Sequence, residues 1–116
     1  MSKTSIYEVS FNLAKLIVQK HSAIKSKNEV IAHQLLKTAT SVGANVAEAQ
    51  VSASRREFTH KLSIALKEAN ETLFWIRLLD EGNLIGSSGL IELNDVALSC
   101  KRLLMRIIKT TKSNNS

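Results

Sequence analysis

The sequence predicts an all-α fold, an antiparallel up-down-up-down left-handed four-helix bundle. Apolar and small residues recur three and four residues apart along four segments, each long enough for a helix of roughly 30 Å. The chain has no Pro, and three of its four Gly lie in the stretch DEGNLIGSSG, which predicts one main loop. Long helices joined by short connections pack as antiparallel neighbours, so these observations favour a bundle.

The first two predicted helices cover about residues 6–26 and 29–49. Ser5 and Glu8 have the spacing of a capping box at the first helix, and Asn28 is the expected N-cap of the second. Apolar residues share one side of the first helix: Ile6, Val9, Leu13, Leu16, Ile17 and Ile24. The second helix has a heptad seam of apolar and small residues: Ala32, Leu35, Ala39, Val42, Val46 and Ala49.

The third and fourth predicted helices cover about residues 55–80 and 90–111, and residues 112–116 are expected to be a flexible tail. A second capping box, Ser54 with Glu57, precedes the third helix. Its seam follows the same alternation: Phe58, Leu62, Ala65, Ala69, Thr72, Ile76 and Leu79. The seam of the fourth helix is shorter: Leu93, Ala97, Cys100, Leu104 and Ile107.

Composition bounds the class of protein. With 116 residues, 44% of them hydrophobic and 22% charged, the chain fits one compact domain, residues 1–116, rather than a disordered, collagenous or two-domain protein. The single Cys100 cannot form an intramolecular disulfide, no apolar run approaches the roughly 18 residues of a membrane span, and the N-terminus lacks a secretory signal. We therefore expect a cytoplasmic protein with no membrane contact.

Motifs for catalysis and cofactors are weak. A di-iron bundle needs two Glu-x-x-His elements, and the sequence has only Glu57 with His60, where Glu57 already serves the capping box. The sequence contains no Walker loop, Rossmann fingerprint, nucleophile elbow or zinc-spaced cysteines. The expectation is a protein that is not an enzyme and that carries no cofactor or metal.

Helix three has apolar residues on a second face, opposite the Phe58 seam: Ile64, Phe74, Trp75 and Leu78. Large aromatic residues are enriched in protein interfaces, so this face is predicted to contact another subunit. Scattered exposed hydrophobic residues, or a loop that covers them, are the alternatives.

A polar stripe follows helix two through Thr38, Ser41, Asn45 and Glu48, and Glu68 and Glu71 lie near the seam of helix three. We interpret Ser41, Asn45, Glu48, Glu68 and Glu71 as a structural network between the two helices, because partly buried polar groups need partners. Acid-base catalysis is the less favoured alternative, since a packed bundle lacks a substrate-sized cleft.

Basic residues are segregated along the chain, which has 16 Lys and Arg against 10 Asp and Glu, a net charge of +6. No acidic residue follows Asp95, whereas five basic ones do: Lys101, Arg102, Arg106, Lys109 and Lys112. A second basic region covers helices one and two: Lys15, Lys20, Lys25, Lys27 and Lys37. The helix-four group is predicted to bind phosphates of RNA or DNA, and an ordinary solvated face is the alternative.

One stretch resembles a known family. It comprises ATSVGANVAE at residues 39–48, SRREF at 54–58, Lys61-Leu62, the segment 65–72 and Trp75. This pattern is similar to the bacterial S23 or intervening-sequence proteins, first noticed as reading frames inside insertions in 23S ribosomal RNA genes. The family usually has Gly after Asn-x-Ala-Glu, where this chain has Ala49. We therefore expect helix two to be extended or capped differently.

The resemblance implies a small bundle without known catalytic activity that assembles into a ring, commonly a homopentamer. A related branch includes the accessory variability proteins of diversity-generating retroelements, which bind nucleic acid and a reverse transcriptase. Joined to the basic face, this implies a homo-oligomer that binds RNA or DNA backbone without base specificity. The alternative is a scaffold or accessory subunit that binds a protein partner, such as a reverse transcriptase, and no nucleic acid.

Overall fold

The computed structural model describes residues 5–82 and 87–113 and confirms the all-α four-helix fold. The helices are α1 (Ile6–Lys25), α2 (Glu29–Ala49), α3 (Arg55–Glu81) and α4 (Ser87–Ser113). Helix α4 begins before residue 90, because Gly89 is helical rather than part of the loop. The tail predicted from residue 112 is wrong for its first two residues, which belong to α4, and residues 114–116 lie outside the described part.

Local side-chain bonds fix where three helices begin. The Asn28 side chain accepts a hydrogen bond of 2.9 Å from the Ile31 N–H, which confirms the predicted N-cap. Ser5 and Ser54 each accept from the N–H three residues on, at 3.1 Å. These bonds satisfy amide groups that the first turn of a helix leaves without a partner.

Helix α2 ends at a C-cap with right-handed backbone angles. Gln50, its C-cap, keeps right-handed backbone angles with φ of −62°, and its N–H donates to carbonyls of the preceding turn. Ala49 is 2% exposed and belongs to the core. The helix therefore continues to the position where the family pattern has Gly, and ends in a tightened turn instead.

Each helix packs against its neighbours in sequence, and α4 closes the bundle against α1. Within the described residues, the diagonal pairs α1 with α3 and α2 with α4 have no Cα atoms within 8 Å of each other. The packing is antiparallel: between α2 and α3, Thr38 lies beside Thr72 and Glu48 beside Lys61. The core holds side chains from all four helices, with fully buried positions such as Leu13, Leu35, Leu62 and Leu104.

Helices α1 and α2 approach closely at Gly43. A Cβ atom at this position would lie 3.4 Å from the Ser10 carbonyl oxygen and 3.6 Å from the Ala14 Cβ. Ser10 is buried at this crossing, and its hydroxyl donates to the Tyr7 carbonyl at 3.0 Å. Small residues on both helices therefore set the distance between α1 and α2.

In the described part of the chain, none of the helices combines the length and apolar character that a membrane crossing requires.

Candidate nucleic-acid interface

The outer side of α4 carries a row of exposed cations, Arg102, Arg106, Lys109 and Lys112, which we call the α4 basic face. At 1.5 Å per residue the row extends for about 15 Å along the helix axis. Among the described residues, none of the four has an acidic side chain within 4.0 Å. The face therefore presents positive charge that no carboxylate in the described part of the chain pairs with.

Lys101 differs from the other four predicted residues. It is half-buried, whereas the other four are exposed, and at 3.6 residues per turn it lies on the same side of the helix as Lys112. Lys101 is therefore at the edge of the α4 basic face and is less accessible than the four residues of the row.

A shallow apolar groove lies beside this face, between α4 and α3. The floor of the groove consists of Leu66, Met105 and Ile108. Ser113 and three cations complete the lining: Arg106, Lys109 and Lys112. The volume is about 680 Å³. Met105 is 50% exposed, so the floor is open to solvent. We call this feature the Met105 groove.

The antiparallel topology brings two further cations close to α4, one beside the Met105 groove and one at the end of the bundle. Lys67 is exposed and directly follows Leu66, which lines the Met105 groove. Arg55, at the start of α3, lines one cleft with Thr111 near the end of α4. Sequence reasoning missed both residues. Pairing the start of α3 with the end of α4, as an antiparallel bundle requires, would have placed Arg55 near the end of α4.

The second basic region is separate from the α4 basic face and more neutralised. Its residues lie on α1, on α2 and in the turn between them, and Lys20 comes within 3.9 Å of Glu92. The exposed single-sign row of α4 is thus the stronger candidate for phosphate contact.

The predicted subunit face on α3 is narrower than expected. Phe74 and Leu78 are 55% and 43% exposed, whereas Trp75 and Ile64 are half-buried. Trp75 packs against the core, and its Nε1 donates to a Glu71 carboxylate oxygen at 3.3 Å. We call Phe74 and Leu78 the α3 patch, and this patch is the part of the predicted face that is free to bind.

A second exposed apolar row follows α1 through Tyr7, Phe11 and Val18, which we call the α1 stripe. The three side chains are 46%, 55% and 58% exposed, and the two rings stack with centroids 6.4 Å apart. Sequence reasoning missed it, although spacings of four and seven residues place the three on one side. Because α1 and α3 occupy diagonal corners of the bundle, the α1 stripe and the α3 patch are two separate surfaces.

The polar stripe of α2 has different partners from those predicted. Asn45 Nδ2 donates within its own helix to the Ser41 carbonyl and hydroxyl, at 2.9 and 3.2 Å. Glu48 accepts a 2.8 Å bond from Lys61 Nζ, which raises the pKa of that ammonium group. The predicted pairing with Glu68 or Glu71 is therefore wrong in this structure. The buried polar contact between α2 and α3 is instead formed by the hydroxyls of Thr38 and Thr72.

The one thiol is enclosed by the core. Cys100 is fully buried on the α4 seam, and burial raises its pKa to about 12. At neutral pH it is a neutral thiol that packs as a small apolar group. Over residues 5–82 and 87–113, no three His, Cys, Asp or Glu side chains come together as a metal site.

Comparison with known proteins agrees with this architecture. The family model for 23S rRNA-intervening sequence proteins matches residues 2–106. The chain is also similar to the crystal structure of a protein of unknown function from the S23 ribosomal protein family of Bacteroides thetaiotaomicron VPI-5482. The TM-score is 0.85 at 36% identity, over 90% of this chain and 99% of that chain. No curated protein matches the chain. Since the family match extends over nearly the whole sequence and the solved relative shares its fold, the chain belongs to the 23S rRNA-intervening sequence protein family.

Proposed function

We propose that the protein is a non-catalytic homo-oligomer that binds RNA or DNA backbone through the α4 basic face without base specificity. The observation that carries the proposal is the row of four exposed cations with no carboxylate within ion-pair distance in the described structure. Lys and Arg side chains of this kind bind phosphates and release the counterions of the nucleic acid. Phosphate contacts hold a backbone in place but carry no direct information on sequence.

Self-association is supported by the two apolar surfaces. The α1 stripe and the α3 patch are different surfaces of the bundle, so contact between the stripe of one copy and the patch of the next is heterologous. Such contacts generate rings when the rotation between copies closes. A pentamer is the form that the family resemblance favours. Repetition of the α4 basic face around a ring would strengthen weak individual contacts through avidity.

A nucleic-acid target accords with a bacterial cytoplasmic protein, where RNA and DNA are accessible. The solved relative comes from a bacterium, which supports a bacterial origin for this chain.

The test is binding of labelled RNA and DNA of unrelated sequences over a series of salt concentrations. The parent protein should bind all of them, with affinity that falls steeply as salt rises. Arg102→Glu with Arg106→Glu should abolish binding while the oligomer stays intact. The matched control, Lys15→Glu with Lys37→Glu, makes the same change of charge on α1 and α2 and should retain most of the affinity.

Loss of binding only in the control variant would move the site to the second basic region. If neither RNA nor DNA binds at low salt, the alternative of a protein scaffold replaces this proposal. The exposed α1 stripe favours that alternative, because stacked aromatic side chains on a surface are typical of protein contacts. A reverse transcriptase is the partner class to test first.

A further inference from the structure

The Met105 groove combines two kinds of surface that one ligand must satisfy together. Its floor is apolar, with Met105 half exposed between the half-buried Leu66 and Ile108, which is 8% exposed. Its rim is cationic, because Arg106, Lys109 and Lys112 line the same groove. At 1.5 Å per residue these cations extend for about 9 Å along α4. A ligand that fills the groove therefore presents an apolar face next to several negative charges.

A single strand of RNA or DNA has this chemistry, whereas a duplex does not. In a duplex the flat faces of the bases are stacked on one another, and only base edges reach the grooves. An unpaired base offers its face, and proteins that bind single strands combine a cationic groove with surfaces on which bases stack. Methionine suits such a floor, because its sulfur makes favourable contacts with aromatic rings and its side chain adapts to their shape.

The residues that line the groove also favour nucleic acid over an acidic protein segment. Protein interfaces are enriched in Met and Arg but depleted in Lys, and two of the three cations here are lysines. The lining contains no Asn, Gln, Asp or Glu, the side chains that pair with the edges of adenine and cytosine. Packing on the face of a base suits all bases, since each has an aromatic face, and this agrees with binding that ignores sequence.

We propose that the Met105 groove makes the protein selective for single-stranded over double-stranded nucleic acid, by packing an unpaired base on Met105 while the α4 basic face binds the flanking phosphates. This inference rests on the proposed function, since it assigns a substrate class to the same face. The contact between the base and Met105 adds a contribution to the binding free energy that is independent of charge.

The experiment compares a labelled single-stranded oligonucleotide with the duplex of the same length and sequence. The parent should bind the single strand more tightly. Met105→Gln keeps the charge and the approximate size but removes the apolar contact, and it should weaken single-strand binding by about fivefold, the low end of the range for stacked bases, with duplex binding unchanged. Met105→Tyr offers a larger stacking surface and should strengthen single-strand binding. The matched control is Ile91→Gln, an equally exposed apolar residue of α4 outside the groove, which should change neither affinity.

Three results would overturn the inference: equal affinity for single strand and duplex, an equal effect of Met105→Gln on both, or a change of molecular mass on this substitution, which would make the groove a subunit contact. Tight binding of an acidic peptide that the single strand cannot displace would assign the groove to a protein partner. In each case the proposed function still stands if Arg102→Glu with Arg106→Glu abolishes nucleic-acid binding. If the parent binds neither single strand nor duplex, both proposals fail.

Discussion

Thr38 and Thr72 join α2 to α3 through their side-chain hydroxyls, which are hydrogen-bonded at 2.9 Å in the interior of the bundle. Thr72 Oγ1 also donates to the Glu68 carbonyl at 2.8 Å. A hydroxyl has one hydrogen and a carbonyl can only accept, so the hydrogen shared by the two threonines belongs to Thr38. The pair is a buried polar contact in an otherwise apolar seam, and it fixes the register of the two helices.

Replacing both threonines of this pair should lower the free energy of unfolding by less than the sum of the two single replacements. Thr72→Val leaves the Thr38 hydroxyl buried without its partner, and we expect the free energy of unfolding to fall by about 1 to 3 kcal/mol. The double variant Thr38→Val with Thr72→Val strands no hydroxyl, so its loss should be smaller than the sum of the single losses. Urea unfolding followed by circular dichroism measures all three. Additive losses would contradict this account of the contact.

Asn45→Ala should have little effect on stability. The Asn45 amide bonds only within its own helix, to Ser41, and alanine has the higher helix propensity. The expected change in the free energy of unfolding is below about 0.5 kcal/mol, as for substitutions away from buried networks. A loss of about 2 kcal/mol in the same urea experiment would mean that Asn45 has a partner on another helix, as the sequence suggested.

Gly43→Ala should stabilise the protein. The added Cβ would meet the Ser10 carbonyl at 3.4 Å and the Ala14 Cβ at 3.6 Å, which are ordinary contact distances. Since Gly in a helix interior costs about 1 kcal/mol relative to Ala, the melting temperature should rise. Gly43→Leu is the contrasting variant, because its longer side chain has no room between α1 and α2 and should lower the melting temperature. A lower value for Gly43→Ala would show that the crossing is tighter than its distances indicate.

The α3 patch should hold the oligomer together. Light scattering of the parent should give a mass that is a multiple of the 12.8 kDa chain. Phe74→Glu with Leu78→Glu places two charges in the contact and should yield a monomer with unchanged helicity. Trp75→Glu is a poorer test because Trp75 also packs on the core. Ile91→Glu, on exposed α4 surface, is the control that should keep the parent mass, and a monomeric parent would refute the prediction.

Cys100 should make the fold sensitive to alkaline pH. Its pKa rises from 9.0 to about 12 on burial, so the unfolded chain loses the thiol proton at a pH where the native protein still holds it. The contribution of the buried, protonated thiol to the free energy of unfolding is fully present below pH 9. It is lost between pH 9 and about 12, by up to about 1.4 kcal/mol per pH unit. Cys100→Ala should flatten this part of the stability profile. Equal slopes for parent and variant would argue against burial of the thiol.

Local patterns allowed most of the helical structure to be predicted. Asn28 is a cap and Leu35 a core residue for reasons contained within a few neighbouring positions. Gly89 misled the prediction at the start of α4, because a single Gly is tolerated in a long helix at a cost of only about 1 kcal/mol relative to Ala. The partner of Asn45 was mistaken for a similar reason: the register between α2 and α3 decides which polar groups meet, and periodicity does not determine register.

The candidate site was predicted in part. The sequence placed Arg102 and Arg106 on the outer side of α4 because all cations of that row lie on one helix. It did not give the Met105 groove, whose floor takes Leu66 from α3 and Ile108 from α4. Features built by two helices depend on their relative rotation, which a single-helix pattern leaves open. The α1 stripe was missed because the stronger apolar pattern on the same helix marked only the core side.

The order in which the helices contact one another, with α4 packed back against α1, affects how the chain folds. Residues 26–28 connect α1 to α2 and residues 50–54 connect α2 to α3, so these pairs form by closing short loops at low entropic cost. Among the helix pairs of the described structure, only α1 and α4 are far apart in sequence, and their seam must form after the others. Bundles rich in local contacts fold within microseconds to milliseconds. We therefore expect substitutions at Ala65, in the early seam of α2 and α3, to slow folding. Substitutions at Val96, which faces α1, should mainly speed unfolding.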